Sequence, residues 1–228
     1  MIQWRSPGAK RSGEKIKMNR QRSFGLALAL LATLPSAAFA LELTTNGGFE
    51  TGTFAGWTKF ESAAGNQTIT GVNPSSGAWA AEINNQQDAS NSLMKQANIG
   101  VGVVTPGMTI NIKFDARGSF GVGGVAFAEF FTEKAGGGTS KAEILGGAPL
   151  NLNADPNVWK TFSFTTTAGA DVSGGVTLQL GATKPAIQGS FAHVFYDNAS
   201  VTVVPEPATM TALGLGVLAL VRRRRARS

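Results

Sequence analysis

The sequence predicts an all-β protein, a jelly-roll β-sandwich over 41–203. A cleavable signal helix is expected before it and a short transmembrane helix after it. Three observations carry the fold. Apolar and polar residues alternate with period two in one segment after another. Glycine-rich turn signals separate those segments. No long stretch between 41 and 204 keeps a helical period. Many short strands over about 160 residues suit a jelly roll.

The elements follow in order. Trp79, Ala81 and Ile83 share one side of an early strand, which favours core positions for all three. Gln86 to Gln96 carries neither period and is expected to be a loop or a short helix. Met108, Ile110, Ile112 and Phe114 alternate with Thr109, Asn111, Lys113 and Asp115. Val125 to Phe131 is apolar on both faces, as in a strand covered on both sides. Val158, Lys160, Phe162 and Phe164 oppose Trp159, Thr161, Ser163 and Thr165. Val176, Leu178 and Leu180 alternate with Thr177 and Gln179, and Phe191 to Val203 closes the set. Turns are marked by Asn46-Gly47-Gly48, Pro74-Ser75-Ser76-Gly77, Pro106-Gly107, Gly136-Gly137-Gly138 and Gly146-Gly147. There is no internal repeat.

Charge separates the ends from the middle. The chain of 228 residues has a formal charge of +6, but residues 1–22 carry +6, 41–204 carry −4 and 205–228 carry +4. A groove that follows phosphates needs its basic residues on the folded part, so nucleic-acid binding is excluded. Zero cysteine excludes disulfides, thiolate metal sites and cysteine nucleophiles.

Residues 1–17 are a polar extension without a predicted fold. Residues 18–40 read as a signal peptide. Arg20 and Arg22 precede the apolar run Phe24 to Leu34, Pro35 breaks the helix, and Ala38-Phe39-Ala40 presents a cleavage site to signal peptidase. At the other end, Pro205-Glu206-Pro207 cannot continue a strand. An apolar run over about 208–221 follows, and then the Arg-rich tail 222–228 with Arg222, Arg223, Arg224 and Arg225. A cationic cluster abutting such a run acts as a stop-transfer signal. Snorkelling arginine stems lengthen the effective span.

Residues 204–228, with V-P-E-P, a short apolar helix and terminal arginines in that order, resemble the PEP-CTERM sorting region of Gram-negative bacteria. The same tail is also described as an ice-binding protein C-terminal region, a label that concerns the tail alone. The resemblance implies an exosortase-type processing enzyme as partner. It implies an inner-membrane intermediate held by the C-terminal helix, then release to the cell surface or an exopolysaccharide or biofilm matrix.

The middle has its own resemblance. Asn46-Gly47-Gly48-Phe49-Glu50 with Gly56-Trp57 opens it, and Ser76-Gly77, Gln96, Pro106-Gly107 and Phe114-Asp115-Ala116-Arg117 follow. Trp159 and Phe164 come next, and Tyr196-Asp197-Asn198 with Ser200-Val201 closes it. Together these resemble jelly-roll carbohydrate-binding modules of the four-, nine- and twenty-two-type. The resemblance implies a structural calcium near Glu50 and Asp197. Ca²⁺ takes six to eight hard oxygens, and glycine-rich backbone can add carbonyls. The alternative is that both acids bond turn amides or solvent.

Among aromatic residues, Trp57 follows a turn and is expected to cap the sandwich. Trp159 shares a face with Thr161, Ser163 and Thr165 and is the sugar-stacking candidate, with packing as the alternative. Lys113, Asp115 and Gln179 lie on polar strand faces and could bond hydroxyls. His193 has no nucleophile elbow to serve. Glu129 and Glu133 lie on one strand with no nominated partner acid, so no glycosidase pair is evident. Thr165-Thr166-Thr167 is one cluster and not a regular ladder. The expectation is an exported, non-catalytic surface or matrix protein that binds extracellular polysaccharide. A purely structural matrix protein without a sugar site is the alternative, and a hydrolase is the third.

Overall fold

The computed structural model describes residues 40–63, 65–86, 89–204 and 216. The signal peptide, the polar extension, the transmembrane helix and the sorting residues Pro205 to Pro207 and Arg222 to Arg225 lie outside the described residues. Among the described residues no helix is long and apolar enough to cross a membrane.

The strands are β1 (Leu41–Glu42), β2 (Thr58–Phe60), β3 (Gln67–Thr70), β4 (Ala80–Asn85), β5 (Ser90–Ile99) and β6 (Thr109–Phe120). They continue with β7 (Val125–Glu133), β8 (Thr139–Ile144), β9 (Lys160–Thr167), β10 (Val176–Lys184) and β11 (Ala192–Val204). They form two sheets. One runs β3-β4-β11-β6-β9 with β1 added on β11, and the other runs β2-β5-β10-β7-β8. Each pair of neighbouring strands in these two sheets is antiparallel.

The alternation read in the sequence sets which side chains face inward. Ile110, Ile112, Phe114 and Ala116 of β6 are buried, as are Ala126, Ala128 and Phe130 of β7 and Leu178, Leu180 and Ala182 of β10. With Val194, Tyr196, Val201 and Val203 of β11 they form one core between the sheets. Burying each such aliphatic or aromatic side chain contributes about 1.5–3 kcal/mol. Tyr196, the single tyrosine, crosses the core. Its hydroxyl donates to the carbonyls of Gly181 (2.7 Å) and Phe127 (3.2 Å) in the opposite sheet. Burial raises the Tyr196 pKa, so the hydroxyl stays protonated as a donor.

Two expectations are corrected. The stretch Gln86 to Gln96, read as a loop or short helix, contains most of β5, which sits between β2 and β10. Its inward positions include Ser92 and Gln96, which are buried polar groups and so break the apolar alternation. Each is satisfied: the Ser92 hydroxyl donates to Asn85, and Gln96 exchanges hydrogen bonds with the Thr45 backbone. Trp79, favoured for the core, is 38% exposed. It precedes β4 and lies beside Gly52 and Gly71. Trp57 is buried as expected, packs on Phe49 and donates its indole N–H to the Asn46 carbonyl.

Candidate functional site

The outer face of the five-stranded sheet carries an ordered pattern. Strand register aligns Thr58, Lys95, Gln179, Glu129 and Ile144 in one row across β2, β5, β10, β7 and β8. The next row holds Phe60, Leu93, Gly181 and Phe127. A polar row thus lies beside an apolar one, and both run across the strands. At about 4.8 Å between strands, five strands span about 19 Å, the scale of an oligosaccharide.

A groove of about 330 Å³ opens on this face. It is lined by Asn91, Leu93, Phe127, Glu129, Ile144, Gly147, Ala148, Pro149 and Gln179. An apolar lining with a few convergent polar groups is the usual make-up of a ligand site. Gln179 donates its side-chain N–H to a Glu129 carboxylate oxygen, which fixes both side chains. The Lys95 ammonium lies 5.0 Å from the Phe60 ring centroid.

Gly181 explains the attitude of Phe127. A Cβ on Gly181 would stand 2.4 Å from the Phe127 ring and 3.0 Å from Leu93. The missing side chain therefore lets the phenyl ring reach across the neighbouring strand. Glycine inside a strand often marks such a close approach. Behind the sheet, the Tyr196 hydroxyl holds the carbonyls of these same two residues.

The four ligand candidates from the sequence do not come together. Gln179 lines the groove. Lys113 and Asp115 lie on β6 in the other sheet, and Trp159 directly precedes β9 at its edge. The Trp159 indole N–H donates to the Asn73 carbonyl at 2.9 Å, and Arg117 sits 5.1 Å from its ring. Arg117 also stacks 3.7 Å from the Phe195 ring and donates to the Val72 carbonyl. Phe127, Lys95, Phe60 and Asn91 were missed. The available signals were the apolar outer face of Val125 to Phe131 and a glycine amid β10. His193 pairs with Glu82 at 2.7 Å. Thr165 donates to Asn111 and Thr166 to Glu143.

Glu50 and Asp197 meet at a second place, the turn 75–79. The Ser75 and Ser76 amides donate to Asp197 Oδ2 at 2.9 and 3.1 Å, and the Asn198 amide donates to Oδ1 at 2.7 Å. The Ala78 amide donates to both Glu50 oxygens, at 3.2 and 3.0 Å, and the Trp79 amide to Oε1 at 3.3 Å. Gly77 adopts φ +61°, and a Cβ there would meet the Glu50 carboxylate at 2.3 Å. Burial pushes the Asp197 carboxyl up; the Ser76, Asn198 and Ser75 amides offset part of this, and the charge of Asp115 adds to the rise. Asp115 is pushed up by burial, but donors from Asn198, Thr161 and Ser75 outweigh it and hold its pKa below the ordinary value.

The sequence pattern of the PEP-CTERM protein-sorting motif matches residues 203–225. The chain therefore carries the sorting signal of an exported protein. No protein with a curated description matches the sequence. Among solved structures, the chain is similar to the enzymatically active domain of tailspike protein 4 of bacteriophage CBA120. The TM-score is 0.55 at 11% identity, covering 72% of this chain and 21% of that one. It therefore spans about a fifth of the tailspike chain. It is also similar to the CBM22-1-CBM22-2 tandem domain of Xyn10C from Paenibacillus barcinonensis (TM-score 0.51, 15% identity, 76% of this chain and 49% of that one). A cyclase from Fischerella sp. TAU matches with TM-score 0.51 at 20% identity, covering 74% of this chain and 98% of that one. At these identities the likeness shows the fold, a jelly-roll sandwich like that of carbohydrate-binding modules.

Proposed function

We propose that this exported sandwich binds a polysaccharide along the outer face of its five-stranded sheet and does no chemistry on it. The observation that carries this reading is Phe127, laid over Gly181 beside the Lys95, Gln179 and Glu129 row. A pyranose ring has an apolar C–H face and a rim of hydroxyls. The phenyl ring offers the first a platform. The polar row offers the second both donors and acceptors. Glu129 is the one carboxylate lining the groove among the described residues. Glycoside hydrolysis commonly uses two acids about 5–10 Å apart, so binding without cleavage is the better reading. The exosortase-type pathway would deliver the protein to the cell surface or its matrix, where exopolysaccharide is the available polymer.

A glycan array probed with the protein and with Phe127→Ala tests this. Specific binding that the variant loses supports it. Retention of no glycan favours a purely structural matrix protein.

We further propose a structural calcium at the 75–79 turn. Among the described residues no three histidine or acidic side chains form a metal-holding group. The two acids nevertheless fit a shared ion in part. Each carboxylate oxygen carries about two lone pairs. The amide bonds above occupy both on Asp197 Oδ2 and on Glu50 Oε1, and leave one open on each remaining oxygen. Glu50 and Asp197 would hold the ion with backbone carbonyls completing the shell. Its charge would offset the burial, and the smaller repulsion from Asp115, that together raise the Asp197 carboxyl.

A further inference from the structure

Both ends of the sandwich leave from one pole. Leu41, the first residue of β1, pairs with Val203 near the end of β11. Val204 in turn pairs with Thr109, where β6 begins. Three residues, Pro205, Glu206 and Pro207, separate Val204 from the apolar run of the sorting region. At about 3.6 Å per residue that run starts within about 14 Å of Val204.

The same pole exposes apolar side chains that the fold does not use. Leu41 is 48% exposed, Val101 55% and Val103 42%. The loop bearing the two valines is a tight turn, with the Val103 and Val104 amides donating to the Gly100 carbonyl. It is tied to the terminal strands, because Gly100 lies against the Leu43 side chain and the Leu43 amide donates to the Val201 carbonyl. Asp171 of the neighbouring loop is within electrostatic reach of Lys134, and the Glu42 carboxylate beside Leu41 accepts hydrogen bonds from Thr44, Ser200 and Val201.

We infer that the pole carrying Leu41, Val101 and Val103 rests on the lipid surface while the precursor is held by its terminal segments. The inference rests on those segments entering the membrane. A tether of about 14 Å keeps this pole at the bilayer, where exposed aliphatic side chains gain by leaving water. The contact is apolar and its strength is therefore insensitive to salt. The opposite pole lies about 37 Å away along the twelve residues of β6. The groove residues Asn91 and Phe127 belong to that far half, since Asn91 pairs with Thr183 and Phe127 follows the turn after β6. The ligand face thus stays clear of the membrane before release.

The chain has no cysteine, so single-cysteine probes are clean. The full chain bearing Val103→Cys, or separately Val101→Cys, is labelled with an environment-sensitive fluorophore. It is then mixed with phosphatidylcholine vesicles containing a lipid-attached quencher. Val122→Cys is the control, since Val122 is 61% exposed at the opposite pole. Expected are flotation with vesicles, a blue shift and loss of emission at 103 and 101, and neither change at 122. Flotation without quenching at 103 and 101, or with equal quenching at 122, overturns the lipid contact and leaves the tail reading intact. A blue shift without lipid quenching also overturns it and points to a second copy or a protein partner. Failure to float overturns both the tail reading and this inference.

Discussion

Asp115 and Asp197 face each other directly across β6 and β11, and two residues bridge them. Ser75 donates its amide to Asp197 and its hydroxyl to Asp115. Asn198 donates its amide to Asp197 and its side-chain N–H to Asp115 at 2.8 Å. Like charges directly opposite on a sheet destabilise it. Here donors between them turn the pair into an anchor for the turn, and Glu50 grips that turn further along.

The acid limb of stability should report this pair. Asp115 and Glu42 have lowered folded pKa values, so their contributions are full above the ordinary carboxylate range and are lost as pH falls below it. Asp197 is raised and works the other way, weakening the fold as pH rises from the ordinary value through its own. Urea unfolding between pH 3 and pH 7 should show stability falling below about pH 4. Asp115→Asn should flatten that fall. An unchanged slope in the variant would show that Asp115 is not a source of it.

Calcium should raise the melting temperature through linkage, by about 2.7 kcal/mol at a hundredfold excess over Kd. Asp197→Asn should remove most of that response, and EDTA should lower the wild-type midpoint toward the variant's. Magnesium, which prefers a tight octahedron, serves as control. A midpoint indifferent to EDTA, or raised equally by magnesium, leaves amide anchoring as the whole role of Glu50 and Asp197.

Removing the Tyr196 hydroxyl strips a buried donor from the carbonyls of Gly181 and Phe127. Tyr196→Phe should cost about 1–1.5 kcal/mol, read as a lower urea midpoint with an unchanged slope. A variant as stable as the wild type would show that the crossing hydrogen bonds add nothing net.

The sandwich was legible because period-two alternation marks the strands that line the core, as in Ile110, Ile112 and Phe114. It failed at β5, where Ser92 and Gln96 point inward and are satisfied by hydrogen bonds rather than by burial alone. The groove was half legible. Gln179 could be picked from a polar face, but Lys113 and Asp115 belong to the other sheet and Trp159 lies just before that sheet's edge strand. Strand order decides which faces coincide, and it depends on long-range pairing that local periodicity does not encode. Val125 to Phe131 carries Phe127 on its outer face, beside Glu129, because that face lines a groove, not because a second layer covers it.

Affinity electrophoresis through gels containing soluble polysaccharides measures groove binding directly, with Phe127→Ala, Gly181→Ala and Trp159→Ala run beside the wild type. The wild type should be retarded by at least one polymer. Phe127→Ala should weaken that binding about tenfold, equivalent to about 1.4 kcal/mol. Gly181→Ala should do the same by displacing the ring, and Trp159→Ala should bind as the wild type does. Retardation by no polymer, or binding that survives Phe127→Ala and is lost in Trp159→Ala, would contradict a sugar site on the five-stranded sheet.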